Sequence, residues 1–114
     1  MGEKTLFEKI IEREIPADIV LEDEYCLAFR DINPQAPMHI LVCPKKVIPM
    51  LSRSAPKDAH LLGHLLLKAG EIASREGYKD AYRIVVNNGE EVGQTVFHLH
   101  LHVLGGRKFS WPPG

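Results

Sequence analysis

His98-Leu99-His100-Leu101-His102-Val103-Leu104 alternates three imidazoles with apolar residues. Successive side chains of a β-strand point to opposite faces, so an extended chain lines all three rings along one surface and turns Leu99, Leu101 and Val103 toward a core. A helix scatters them, because residues two apart share no helical face. The run therefore predicts a strand over 98–104 with one buried face and one face that carries chemistry.

Three readings of that face follow. Satisfied histidines on a polar sheet surface are the plainest. A zinc site is the second, since alternate strand residues lie about 6.8 Å apart and neutral imidazole is the commonest ligand. The third makes one imidazole a nucleophile, with its neighbours fixing its tautomer and handling protons or phosphate charge. The surroundings favour the third. Asn87-Asn88-Gly89-Glu90-Glu91-Val92-Gly93-Gln94-Thr95 is a polar loop that brings backbone N–H groups, an amide and a hydroxyl to the strand's entrance, as an oxyanion cradle requires. His39 follows Pro34-Gln35-Ala36-Pro37 and opens Ile40-Leu41-Val42-Cys43, so it joins the cluster if that strand pairs with the triplet. No carboxylate lies within the triplet, and Glu90 and Glu91 belong to a loop expected to be solvated, so a metal there lacks an acidic partner.

The remaining elements read outward from the triplet. Thr5 and Glu8 form a capping box for a short helix carrying Leu6, Phe7, Ile10 and Ile11, which Pro16 is expected to stop. Residues 19–22 and 26–30 predict two strands across the acidic turn Glu22-Asp23-Glu24, and 39–43 a third. Leu61, Leu62, Leu65, Leu66, Ala69, Ile72 and Ala73 recur at helical period, predicting an amphipathic helix over roughly 57–76 that ends near Gly77. Residues 82–87 and 98–104 complete five strands. Short connections favour antiparallel neighbours, so the expected class is α+β: a five-stranded antiparallel sheet with one long and one short helix. His60 and His64 are four apart on the long helix, but Leu61 stands where a metalloprotease has its glutamate, and both read as ordinary surface histidines.

The triplet, with Asn87 and Gly93-Gln94-Thr95 before it and with Asp31-Ile32, Pro34-Gln35-Ala36-Pro37 and His39 elsewhere, resembles the histidine triad superfamily. The nearer likeness is to its nucleotide-binding branch, the purine nucleoside phosphoramidases. It runs from Ile15-Pro16-Ala17 through Glu22-Asp23 and Pro44-Lys45-Lys46 to Leu104-Gly105-Gly106-Arg107 and Trp111-Pro112-Pro113-Gly114. That C-terminus separates the branch from its dinucleotide-hydrolase and nucleotidyl-transferase relatives. Val47 departs from relatives with histidine after Pro-Lys-Lys, but none of the four clustered histidines is lost.

The resemblance implies a hydrolase that cleaves the P–N bond of purine nucleoside 5′-phosphoramidates. His100 is the implied nucleophile at phosphorus, forming a nucleotidyl-histidine that water then hydrolyses. His98 and His39 orient the cluster and His102 donates to phosphate oxygens. Thr95 replaces the usual serine at the leaving amine, keeping the hydroxyl while stiffening χ1. Asn87, Gly93, Gln94 and Val96 fall on the phosphate and leaving-group side. Asp31 accepts from the ribose hydroxyls, although the same residue also reads as a turn cap before Asn33-Pro34. Phe7, Ile10, Phe29 and Ile32 line the slot for the base. The resemblance further implies a homodimer with sheets joined edge to edge, in which Trp111 of each tail reaches toward the other subunit's site. No metal and no cofactor are expected. The alternatives are a purine-nucleotide-binding regulatory or scaffold protein with incidental hydrolysis, and zinc binding through the triplet.

Composition bounds these readings. With 114 residues and 45% apolar content the chain supports one domain, residues 1–114, with a real core. Its 14 basic and 15 acidic residues give a net charge of −1, so no basic field draws nucleic acid or an anionic membrane. Cys26 and Cys43 both fall in apolar strand-like runs, no secretory apolar segment opens the chain, and no stretch approaches the ~20 apolar residues of a membrane span. A cytoplasmic protein without a disulfide is the expectation.

Overall fold

The computed structural model describes residues 2–114. Helix α1 (Leu6–Ile11) starts as its capping box dictates: the Glu8 N–H donates to Thr5 Oγ1 at 2.9 Å and the Thr5 N–H donates to Glu8 Oε1 at 2.9 Å. It ends well before Pro16. Arg13 takes a left-handed conformation at φ 65°, and the Arg13 and Glu14 N–H groups donate back to the Ile10 and Lys9 carbonyls. This closure satisfies the helix end without glycine or proline, which is why the expected stop at Pro16 is four residues late.

Five strands form one antiparallel sheet in the order β1-β2-β3-β5-β4. They are β1 (Ile19–Glu22), β2 (Cys26–Arg30), β3 (Met38–Pro44), β4 (Tyr82–Val85) and β5 (Leu101–Gly105). Both faces are covered, which is why β3 is buried at every position instead of alternating. On one face Cys26, Ala28, Met38, Ile40, Val42, Leu99, Leu101 and Val103 pack with Leu65, Ala69, Ile72 and Ala73 of α2 (Ala59–Arg75). On the other, Leu27, Phe29, Leu41 and Cys43 pack with Phe7 and Ile10 of α1. The short helix is thus the lid of the second core, where its six residues gain from packing what so short a helix lacks in isolation.

Several element boundaries differ from the expected ones. The strand predicted over 98–104 enters the ladder only at Leu101, because the Leu99 N–H donates to the Ile48 carbonyl at 2.7 Å, outside the sheet. The His98 carbonyl is likewise diverted, to the His100 ring at 2.7 Å. Strand β4 stops at Val85, its register ending opposite His102, so the loop toward the triplet begins two residues sooner than expected. The long helix starts after a 3-10 turn at Pro56–Asp58.

Beyond β5, Gly106 holds φ 97°, and a Cβ there would lie 2.8 Å from Pro37 Cβ and 2.9 Å from the Tyr78 hydroxyl. Only glycine lets the tail pass the 34–37 loop so closely. Arg107 then donates to the Gln35 carbonyl at 2.8 Å and lies over the Phe109 ring at 4.0 Å. No helix among the described residues is long and apolar enough to cross a membrane.

Candidate active site

Register brings His39 and His102 together, and His100 stands beside them just before the ladder begins. Strands β3 and β5 pair with Leu41 opposite His102 and His39 opposite Leu104, so His39 and His102 are diagonal neighbours on the face that α1 covers. Their ring centroids lie 5.2 Å apart, and those of His100 and His102 lie 5.1 Å apart. Phe7 meets the His100 ring edge-on at 4.9 Å.

Fixed main-chain groups assign the proton on each neutral ring. A carbonyl can only accept, so His100 donates Nδ1–H to the His98 carbonyl at 2.7 Å, which leaves the lone pair on His100 Nε2. The Gln35 N–H donates to His39 Nδ1 at 3.0 Å, placing the proton of His39 on Nε2. That Nε2–H donates to His102 Nδ1 at 2.9 Å, so His102 carries its own proton on Nε2. The result is one ring with a free lone pair beside one ring with a free donor. Burial lowers the pKa of all four rings below the ordinary histidine value, for His102 to about 4 because His100 and His39 add like-charge repulsion to desolvation. The cluster is neutral at neutral pH.

A cavity of about 330 Å³ opens over His100 and His102, within the range of small-molecule sites. Phe7, Ile10, Phe29, Ile32, Asp31, Thr95 and Val96, all singled out in the sequence, line it. Phe7, Phe29 and Ile10 are buried walls, whereas Ile32 is a 99% exposed rim residue. Asp31 carries both of its sequence readings at once. Its Oδ1 accepts the Asn33 N–H at 2.8 Å, as a turn cap does, while Oδ2 lies 3.4 Å from His39 Nε2 at the cavity wall. Leu6, Ile15, Pro16, Ala17, Arg30 and Leu41 complete the lining. Residue type alone does not mark these as lining, although Ile15-Pro16-Ala17 is part of the family resemblance.

Other expected site residues lie elsewhere. His98 is fully buried outside the cavity lining: its Nε2 donates to the Pro44 carbonyl at 2.7 Å, and its Nδ1 meets Thr5 Oγ1 at 2.7 Å. It touches the site through its carbonyl rather than its ring. The buried amide of Gln94 is engaged within the loop, accepting the Gly89 N–H through Oε1 and donating to the Pro49 and Val96 carbonyls. It therefore shapes the turn from within and offers no free donor to a phosphate, a distinction its residue type could not reveal. Asn87 and Gly93 face each other across that loop, outside the cavity lining, with Asn87 Nδ2 4.0 Å from where a Cβ on Gly93 would stand. Trp111 is 82% exposed on the single chain.

A second cleft of about 460 Å³ is lined by Lys46, Lys57, Asp58, His60, Leu61 and His64, away from the triad. His64 is not the free surface residue expected, since its Nε2 lies 2.7 Å from Asp23 Oδ2. Burial alone would raise Asp23, but this contact and the Tyr25 and Cys26 N–H groups hold its carboxyl well below the usual range. Burial, with Asp23 nearby, pushes the free Cys26 thiol up to about 12.

A sequence profile of the HIT domain matches residues 12–109. An uncharacterized HIT-like protein of Synechocystis is 67% identical over 114 residues, covering the whole of both chains. A 14 kDa zinc-binding protein of Zea mays is 50% identical over 112 residues, covering 96% of this chain and 88% of that one. The crystal structure of a HIT family hydrolase from Legionella pneumophila superposes with a TM-score of 0.95 at 48% identity, over 97% of this chain and 100% of that one. With its five-stranded sheet, its long helix and His100 and His102 at one cavity, this chain belongs to the HIT domain family.

Proposed function

We propose that this HIT protein hydrolyses purine nucleoside 5′-phosphoramidates through a nucleotidyl-histidine at His100. The observation that carries the reading is the His100 tautomer: Nδ1–H is held by the His98 carbonyl at 2.7 Å, and the remaining lone pair belongs to a ring that lines the cavity. In the first step His100 Nε2 attacks the α-phosphorus and the P–N bond to the amine breaks. The amine leaves with a proton, for which the hydroxyl of Thr95, a residue of the cavity lining, is the expected donor. In the second step water attacks phosphorus and gives its proton back to the Thr95 oxygen, the P–Nε2 bond breaks, and the nucleoside monophosphate departs. Splitting one displacement into two avoids direct attack by water on a poor electrophile.

The neighbouring groups have matching tasks. His102 Nε2–H donates to a non-bridging phosphate oxygen, a preorganised donor aimed at developing negative charge. Asp31 Oδ2 accepts from the ribose, and the base lies against Phe7, Ile10 and Phe29.

The name of the maize relative raises zinc as a ligand. The triad rings do not fit it as a three-imidazole site, because both His98 nitrogens are engaged outside the cavity and His100 Nδ1 is held by a carbonyl. Asp31, His39 and His102 do place one donor atom each within 4.8 Å of one another, but the His39–His102 hydrogen bond occupies that space. We assign no step to a metal.

The proposal includes a homodimer. The sheet ends at the open edge of β4. Beside it Gly63, Leu66, Leu67 and Gly70 form a stripe on α2 at helical spacing, with Leu66 and Leu67 51% and 77% exposed.

The test is mass spectrometry of enzyme quenched during turnover of adenosine phosphoramidate with chelator present. The expected result is an adenylyl group on His100, and for His100→Ala no adduct and turnover reduced by on the order of 10³-fold or more. Nucleotide binding without an adduct would favour the scaffold reading, and chelator-sensitive turnover would favour a metal.

A further inference from the structure

The first histidine of the triplet is the ring that the proposed chemistry leaves idle, yet it is the most deeply buried of the four. Its surroundings are fully determined. Nε2–H donates to the Pro44 carbonyl, so Nδ1 bears a lone pair and requires a donor. The group at 2.7 Å is the Thr5 hydroxyl, which already accepts the Glu8 N–H as the cap of α1. Its single proton is therefore directed at His98. One hydroxyl starts the helix that carries Phe7 and Ile10 to the cavity and also locks the ring whose carbonyl holds His100 Nδ1–H.

We propose that Thr5 is a positioning residue for His100, acting through His98, and that it couples the seating of α1 to the tautomer of the nucleophile. The chain of contacts is short. Thr5 Oγ1–H donates to His98 Nδ1, and the His98 ring in turn anchors the residue to β3 through Pro44. The His98 peptide then presents its carbonyl to His100 Nδ1. Residues 98–100 lie outside the ladder, so the sheet's own hydrogen bonds do not fix that carbonyl. The Thr5 and Pro44 contacts of the side chain, with the Leu99 N–H bond to Ile48, set its direction. If Thr5 stops donating, the His98 ring shifts, the carbonyl turns, and His100 loses the partner that keeps its lone pair on the cavity side.

This inference rests on the phosphoramidase reading for its kinetic readout but not for its spectroscopic one. Three variants separate positioning from mere capping. Thr5→Ser keeps both the cap and the donor. Thr5→Val removes both. Thr5→Asp keeps the cap acceptor but offers His98 Nδ1 a carboxylate instead of a hydroxyl proton. Nitrogen-15 spectra of the histidine rings are recorded for each alongside turnover of adenosine phosphoramidate and thermal melts.

Wild type and Thr5→Ser are expected to show His98 protonated on Nε2 and His100 on Nδ1 alone, with kcat equal within twofold. Thr5→Asp is expected to melt near wild type, to protonate both nitrogens of His98, to mix the His100 tautomers and to lose about tenfold or more in kcat, with a smaller change in KM. Thr5→Val shares the kinetic loss if it folds, and Thr5→Asp decides the matter if it does not. Wild-type His98 and His100 signals together with unchanged kcat in Thr5→Asp would overturn the proposal. If wild type does not turn over the phosphoramidate, the functional reading fails, and the ring spectra still decide whether Thr5 sets the tautomers.

Discussion

The imidazoles of His39, His98 and His100 are buried and that of His102 is partly buried, and the sign of their pH response follows from that. Between their lowered native values and the ordinary value of 6.5, unfolded rings bind protons that folded rings refuse. Stability is therefore full above about pH 6.5 and declines as pH falls through the acid range. The thermal midpoint is expected to drop by roughly 5 °C or more between pH 7 and pH 4.5, and a flat profile would contradict the burial of neutral rings. Under the proposed chemistry, turnover falls on the same acid limb as His100 Nε2 takes a proton. At Asp31 the expectation is selective. Asp31→Asn leaves a cap for the turn but weakens acceptance from the ribose, so the ratio of kcat/KM for ribo over 2′-deoxyribo substrates should fall by about tenfold, a loss of roughly 1.4 kcal/mol. An unchanged ratio would remove Asp31 from sugar recognition.

The elements are held by few but specific devices. Leu65 of α2 is fully buried against the sheet, and Leu65→Ala is expected to cost about 2–5 kcal/mol in chemical denaturation. Arg30 at the end of β2 clamps Glu76 beyond α2 with two hydrogen bonds of 2.9 and 3.0 Å, fixing the helix over the sheet. Glycines at positive φ give a sharper comparison. Gly77 holds φ 94° with open space around it, while Gly106 holds φ 97° with Pro37 and Tyr78 in the way. Gly77→Ala should cost only the backbone strain, about 1–2 kcal/mol, and Gly106→Ala distinctly more. Equal urea midpoints for the two variants would show that the tail does not need its close approach to the 34–37 loop.

At the scale of the molecule, both faces of the sheet are covered, but the β4 edge has no strand beyond it and one stripe of α2 is exposed. Joining β4 edges between two copies would pair the open backbone groups and bury Leu66 and Leu67 together. Light scattering is expected to give a dimer for wild type and a monomer for Leu67→Glu, with the monomer retaining its far-UV spectrum. A monomeric wild type would instead leave Trp111, 82% exposed on the single chain, without the partner site expected for it. The tail up to Ser110 is already fixed to its own subunit, since Arg83 donates to the Ser110 carbonyl at 3.0 Å. Only the last residues are left to reach outward.

Periodicity determined much of this protein in advance. Alternation at 98–103 placed Leu99, Leu101 and Val103 in one core, the 3.6-residue spacing from Leu61 to Ala73 set the long helix, and Thr5 with Glu8 set the start of the short one. Such patterns are local, so they are written in consecutive residues. What the sequence left open was which atom meets which. That His98 meets His100 through its carbonyl, that the Gln94 amide is engaged inside its loop, and that Thr5 touches a residue 93 positions away were decided only by the tertiary structure. Residue type specifies a donor or an acceptor, but its partner depends on direction and distance, and those exist only once the sheet is formed and both of its faces are covered.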